Sequence, residues 1–301
     1  MAEPISPEAW RARGREITIP DGRVFVVDLP APNADTPVLV LHGFPSSSWD
    51  FAEAATRLAA RRRVVLFDFL GFGLSDKPED HGYSLFEQAE VAIAVAAHAK
   101  ISRLHVWAHD MGTSVATELL ARRERGLLPF EIASVTLMNG SVHVEMAHLT
   151  AGQIALKSPV GDLFARFAGT RRVFGAQLKR IFARPLAEET IDAMWSLLSR
   201  ADGHLRLPKT ICYIEERARF RRRWIGSLER VDLPVLVAWG AKDPVAVMAI
   251  GERVAAAVPN AELVRWEDLG HYPQMEDPDR VAAEVEAFLA RCDSGGVVFS
   301  V

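Results

Sequence analysis

The chain has 301 residues, 49% of them hydrophobic and 25% charged, and a formal net charge of −4. This is the make-up of a globular protein with ample core material, and its mild acidity gives no reason to expect nucleic acid or an anionic membrane as a partner. Two cysteines, Cys212 and Cys292, are too few for a disulfide framework and read as reduced thiols.

The first residues, M-A-E-P-I-S-P-E-A-W-R-A-R-G-R-E, lack the continuous apolar segment of a signal peptide. No stretch approaches the roughly 20 apolar residues of a membrane span. A cytoplasmic protein is therefore expected, a monomer or a homodimer. Short β-rich runs then recur, each closed by turn residues: 16–19, 24–29, 38–43, 64–69, 104–110, 134–140, 235–240 and 261–266. The central runs are apolar at successive positions, as in strands covered on both faces, and helical stretches such as 49–60 lie between most of them. An eight-stranded, mostly parallel α/β sheet is predicted. From Val142 to about Arg230 the rhythm breaks. Helical patterns interrupted by Gly161, Gly169, Gly175, Pro185, Gly203 and Pro208 replace the strands, so residues 142–230 are expected to form a helical cap on a core of 1–141 and 231–301.

Four segments stand where predicted strands end: H-G-F-P (42–45), A-H-D-M-G (108–112), G-A-K-D-P (240–244) and L-G-H-Y-P (269–273). In an open α/β sheet these ends form the ligand crevice. In chain order they supply Asp110, Asp243 and His271, the nucleophile–acid–histidine order of a hydrolase triad. Ala108 and Gly112 allow a sharp turn at Asp110. Gly43 lets a backbone N–H approach, which makes Phe44 and Met111 the candidate oxyanion donors. Taken singly, Asp110 could be a helix cap, Asp243 a turn former and His271 a structural histidine. Taken together, the residue types and their order favour catalysis.

The chain resembles the α/β-hydrolase superfamily, in the branch of epoxide hydrolases and haloalkane dehalogenases whose nucleophile is an aspartate. The segments D-F-L-G-F-G-L-S-D-K-P (68–78), Y-S-L-F-E-Q-A (83–89), R-F-R-R-R-W-I-G-S-L (219–228) and H-Y-P-Q-M-E-D-P (271–278) are most similar to the mesoderm-specific transcript proteins. The likeness runs from about residue 36 to 290.

An aspartate, with an ordinary pKa of about 3.9, is ionised at neutral pH and needs no base to attack. It can displace at an electrophilic saturated carbon to give an ester, leaving His271–Asp243 to activate water. Small hydrophobic epoxides and haloalkanes both fit that chemistry, and the leaving group separates them. A halide needs N–H donors. The resemblance implies a tryptophan after the nucleophile, or an asparagine after H-G, and here those positions hold Met111 and Phe44. An epoxide needs a proton donor. Tyr213, on one helical stripe with Phe220 and Trp224, stands where the resemblance implies a ring-opening tyrosine. The second cap tyrosine implied by the resemblance is missing, and His148 or His143 is the candidate substitute. His42, Trp195 and Trp224 are assigned to the substrate pocket.

No cofactor and no metal is expected. His105 and His109 would lie about 13 Å apart on a strand. G-F-G-L-S (71–75) lacks the third glycine and acidic partner of a dinucleotide fingerprint and reads as a loop on the active-site side. The arginine run at 217–223 reads as a solvated helix face. The leading expectation is an epoxide hydrolase. Dehalogenation by the same triad is the alternative, and a binding or signalling protein without turnover is the third reading.

Overall fold

The computed structural model describes residues 5–32 and 35–295. Eight strands form one sheet: β1 (Gly14–Ile19), β2 (Gly22–Leu29), β3 (Val38–Leu41), β4 (Val64–Phe67), β5 (Arg103–His109), β6 (Glu131–Met138), β7 (Val235–Gly240) and β8 (Ala261–Trp266). Their order is β1-β2-β4-β3-β5-β6-β7-β8. β1 and β2 pair antiparallel, as do β2 and β4, and every later pairing is parallel. Each predicted run falls on one strand.

Every residue of β3, β4 and β7 is buried, because helices cover both faces there. The edge strands β1 and β8 alternate or expose their residues, as strands with a solvated side must. The helices Ala52–Leu58 and Pro278–Asp293 pack together. The helices Leu85–His98 and Met111–Arg123 form a second contact pair. The first of these two opens with a capping box from Ser84 and Glu87.

Between β6 and β7 the chain contains helices and turns only. Gly161 opens and Gly169 closes the short helix Gly161–Ala168. Gly175 behaves differently from the sequence expectation. It lies inside the helix Arg171–Ile181, where a Cβ would stand 2.9 Å from Ile191 Cγ2. It is a packing glycine that lets two helices touch, not a break. Pro208 likewise starts a helical turn, Leu207–Thr210, where its missing N–H costs nothing.

This helical insertion is tied to the sheet layer through Glu118 on the helix Met111–Arg123. The Glu118 carboxylate is buried and accepts from Arg223 Nε (2.6 Å), Arg122 Nε (2.8 Å) and Trp224 Nε1 (2.9 Å). Burial alone would raise its pKa, but these donors hold it below the ordinary value. Two sequence expectations change here. Trp224 is an anchor against Glu118 and Phe86 rather than a pocket wall. Arg223 is an ion-pair partner rather than part of a solvated face.

Candidate active site

Asp110 follows the last residue of β5 and precedes the helix Met111–Arg123. Its backbone is held at φ 46°, ψ −112°, a left-handed turn that thrusts the side chain out of the strand line. Two glycines make room for it. A Cβ on Gly43 would lie 2.9 Å from Asp110 Cβ, and one on Gly112 would strike Leu41 O at 2.2 Å. With Gly43 bare, the Phe44 N–H donates to Asp110 Oδ2 at 2.8 Å. Met111 is the first residue of its helix, so its N–H lacks an intrahelical acceptor.

The Asp243–His271 pair stands beyond the ends of β7 and β8. His271 Nδ1 and Asp243 Oδ2 are 2.6 Å apart. Asp243 also accepts from Val245 N (2.7 Å), Ala246 N (3.0 Å) and Asn139 Nδ2 (2.8 Å), so both oxygens are fully engaged and the carboxylate cannot swing. His271 Nε2 is left for the cleft, whose wall includes both His271 and Asp110. Burial alone would lower the His271 pKa. The adjacent Asp243 carboxylate, its hydrogen bond and the charge of Asp110 overcome this and raise it to about 9.

Tyr213 opens the helix Tyr213–Arg219, and its ring centre is 5.3 Å from that of Phe44. Burial, then the nearby Asp110 charge, push its pKa well up, so the phenol keeps its proton. The hydroxyl accepts from Gln153 Nε2 at 3.3 Å. That direction is fixed by a second bond: Gln153 Oε1 accepts the Thr150 N–H at 2.8 Å, so the amide nitrogen must face the tyrosine. The Tyr213 proton has no acceptor among the described side chains of this cluster.

The cleft is largely apolar, with Phe44, Leu156, Phe164, Trp195 and Leu198 on its wall. Gln153 and Gln177 are its amide groups. Trp195 lies where the sequence reading put it. His42 does not. It is fully buried behind the site, donating from Nδ1 to Gly43 O (2.8 Å) and accepting the Phe69 N–H at Nε2 (3.0 Å). Burial lowers its pKa, consistent with a neutral brace for the Gly43–Phe44 turn. His148 is exposed and off the cleft wall. His143 is turned to Glu145 at 3.3 Å and is also off that wall. Tyr213 is not on that wall either, and stands directly behind two residues that are, Phe44 and Gln153.

Four residues of the site went unread in the sequence. Arg217 was grouped with the solvated arginines, yet it is buried and bonds Asp110 O at 3.0 Å and Ser114 Oγ at 2.6 Å. Its guanidinium stands 3.9 Å from Asp110 Oδ1 and 4.6 Å from the centre of the Tyr213 ring. The signal was available, since Arg217 is four residues after Tyr213 and shares its helix face. Asn139, in an N-G pair at the end of β6, had the same strand-end placement as the triad residues. Gln153 was hidden in a T-x-x-Q helix start, a role it also fills. His109 bonds His271 O at 2.7 Å, and burial, then the His271 charge, depress its pKa to about 4. The sequence offers it only as a metal ligand with His105, a role that the strand spacing excludes.

Residues 36–278 match the family described as alpha/beta hydrolase fold. The chain belongs to that family. It is 44% identical over 291 residues to "Putative hydrolase LipZ" of Mycobacterium tuberculosis, covering 94% of this chain and 98% of that one. It is 35% identical over 292 residues to the human mesoderm-specific transcript homolog protein, covering 91% and 85% of the two chains. Among solved structures, haloalkane dehalogenase DbeA from Bradyrhizobium elkani superposes with a TM-score of 0.77 at 20% identity, covering 94% and 99%. At that identity the likeness concerns the fold alone.

Proposed function

We propose that this protein is an epoxide hydrolase that opens an apolar epoxide to a vicinal diol through an ester on Asp110. The observation that carries the reading is the Thr150–Gln153–Tyr213 chain, which sets the tyrosine hydroxyl as an acceptor from Gln153 and leaves its proton without an acceptor within range of the Asp110 charge.

In the first step Asp110 Oδ1, the oxygen not bonded to Phe44 N–H, forms a bond to an epoxide carbon. The carbon–oxygen bond of the ring breaks, and the released oxygen takes the Tyr213 proton. Arg217, against the tyrosine ring, stabilises the phenolate so formed. Alkylation removes the charge of Asp110, one of the two carboxylates that hold the His271 proton in place. His271 then surrenders that proton to the phenolate and becomes a base. Water, deprotonated by His271 Nε2, attacks the ester carbonyl, and the oxyanion falls on Asp110 Oδ2 where the Phe44 N–H already points. Collapse moves the remaining water proton to the leaving alkoxide, releasing the diol and restoring both the carboxylate and the imidazolium.

Halide release by the same triad is the competing reaction. The side chains of Met111 and Phe44 offer no halide donor. Purified protein given styrene oxide or a haloalkane separates the readings by product: diol, halide or neither. A single turnover in ¹⁸O-water tests the ester itself. The first diol should carry the oxygen of Asp110, and solvent label in that first product would show direct attack by water.

A further inference from the structure

Six large hydrophobic side chains are exposed among the described residues, and four of them lie within fourteen positions of the helical insertion. They are Ile154 (59%), Val160 (58%), Leu163 (58%) and Phe167 (71%). Val160, Leu163 and Phe167 are spaced by three and four, so they form one stripe along the helix Gly161–Ala168. The flank next to the stripe is also apolar, because Phe164 and Ala168 line the cleft. Only Asp162 and Arg166 are charged in its eight residues. The helix is amphipathic, with Asp162 and Arg166 together on one exposed flank, and its outward apolar stripe has no cover among the described residues.

The charge of the segment that carries the stripe indicates what covers it. Residues 154–180 contain six Lys and Arg against one Asp. Arg166, Arg172 and Arg180 make no ion pair among the described residues, and Arg172 and Arg180 are both exposed, eight positions apart on the next helix. Over residues 142–230 there are 16 Lys and Arg against nine Asp and Glu, which gives +7 within a chain whose net charge is −4. A second copy docked by a twofold axis would bring the same arginines against each other, which like-charge repulsion opposes. An anionic lipid surface offers the complement to both features: hydrocarbon for the stripe and phosphate for the arginines, whose long stems let the charge stay at headgroup depth.

We infer that the outer face of helix Gly161–Ala168, with Ile154 beside it, docks on an anionic lipid surface and sets the roof of the apolar cleft against the membrane. This is a monotopic contact, and no helix among the described residues is long and apolar enough to cross a membrane. The inference is independent of which bond the site breaks.

The full chain should co-sediment with vesicles of phosphatidylglycerol mixed into phosphatidylcholine, more weakly with phosphatidylcholine alone, and less as salt is raised. Leu163→Ser with Phe167→Ser should abolish binding without lowering the melting temperature. Arg166→Glu with Arg172→Glu should weaken it about fivefold or more per arginine. Absence of binding to the anionic vesicles, or equal binding by the serine variant, overturns the inference. So does a dimer in size-exclusion light scattering that the serine substitutions dissociate, since a second copy would then be what covers the stripe.

Discussion

At the scale of single residues, the proposed mechanism separates a group that attacks from a group that activates water. Asp110 has its N–H donor and no imidazole bonded to it, while His271 is committed to Asp243. Removing the base should therefore leave the first step intact. His271→Gln should accumulate a covalent adduct on Asp110 when mixed with styrene oxide, visible as the epoxide mass added to the intact protein; an unmodified mass under those conditions contradicts the proposed division of roles. Tyr213→Phe should slow formation of that adduct roughly 100-fold or more, the usual loss when a general acid is removed. A different residue governs pH behaviour. Asp50 is buried, with one oxygen bonded by Ser46 and the other without a partner. Burial, only partly offset by Ser46, raises its pKa to about 8. Between the unfolded value near 3.8 and about 8 the folded chain binds the extra proton, so this group lowers stability as pH rises, by up to about 1.4 kcal/mol per unit. Asp50→Asn should be more stable than the parent in urea at about pH 8, with the advantage shrinking towards about pH 4.

At the scale of elements, the attachment of the insertion to the core decides whether Tyr213 meets Asp110. The stripe expected along one helix is in fact two short helices, Tyr213–Arg219 and Arg221–Glu229, meeting at Phe220. The first carries Tyr213 and Arg217 to Asp110, and the second anchors to Glu118 by Arg223 and Trp224. Glu118→Ala would leave two arginines and an indole N–H facing an emptied buried site. The expected cost is about 3–5 kcal/mol in chemical denaturation, as for other broken buried pairs. A loss below about 1 kcal/mol would mean that solvent already serves those groups. The helix Arg171–Ile181 makes the same point about reading elements, since Gly175 holds a helix–helix contact at a position where glycine suggested an end.

At the scale of the whole molecule, the net charge of −4 averages two regions of opposite sign. The mild acidity that argued against a membrane partner is true of the sum and not of the insertion. The same insertion gives the cleft its apolar roof and exposes its apolar outer stripe. Substrate pocket and proposed lipid contact are thus two faces of one short helix.

By itself the sequence determined what local pattern encodes. Short β-rich runs closed by turns marked all eight strands, and the central ones were continuous apolar runs because burial on both faces leaves that record. The strand-end segments placed Asp110, Asp243, His271 and Phe44 near one another, because parallel strands deliver their carboxyl ends to one edge, whereas Tyr213 was pointed to only by the family resemblance. What the tertiary structure decided depends on which neighbours come together from distant parts of the chain. His42 became a backbone brace, Trp224 an anchor, and His148 an exposed side chain, while Arg217 moved from surface to site. An arginine's letter is the same whether it faces water or a carbonyl oxygen, and only packing between insertion and core settles which. The Gln153 amide is oriented by its capping-box bond from the Thr150 N–H, which the T-x-x-Q spacing reports, but only packing decides that the amide nitrogen then meets the Tyr213 hydroxyl.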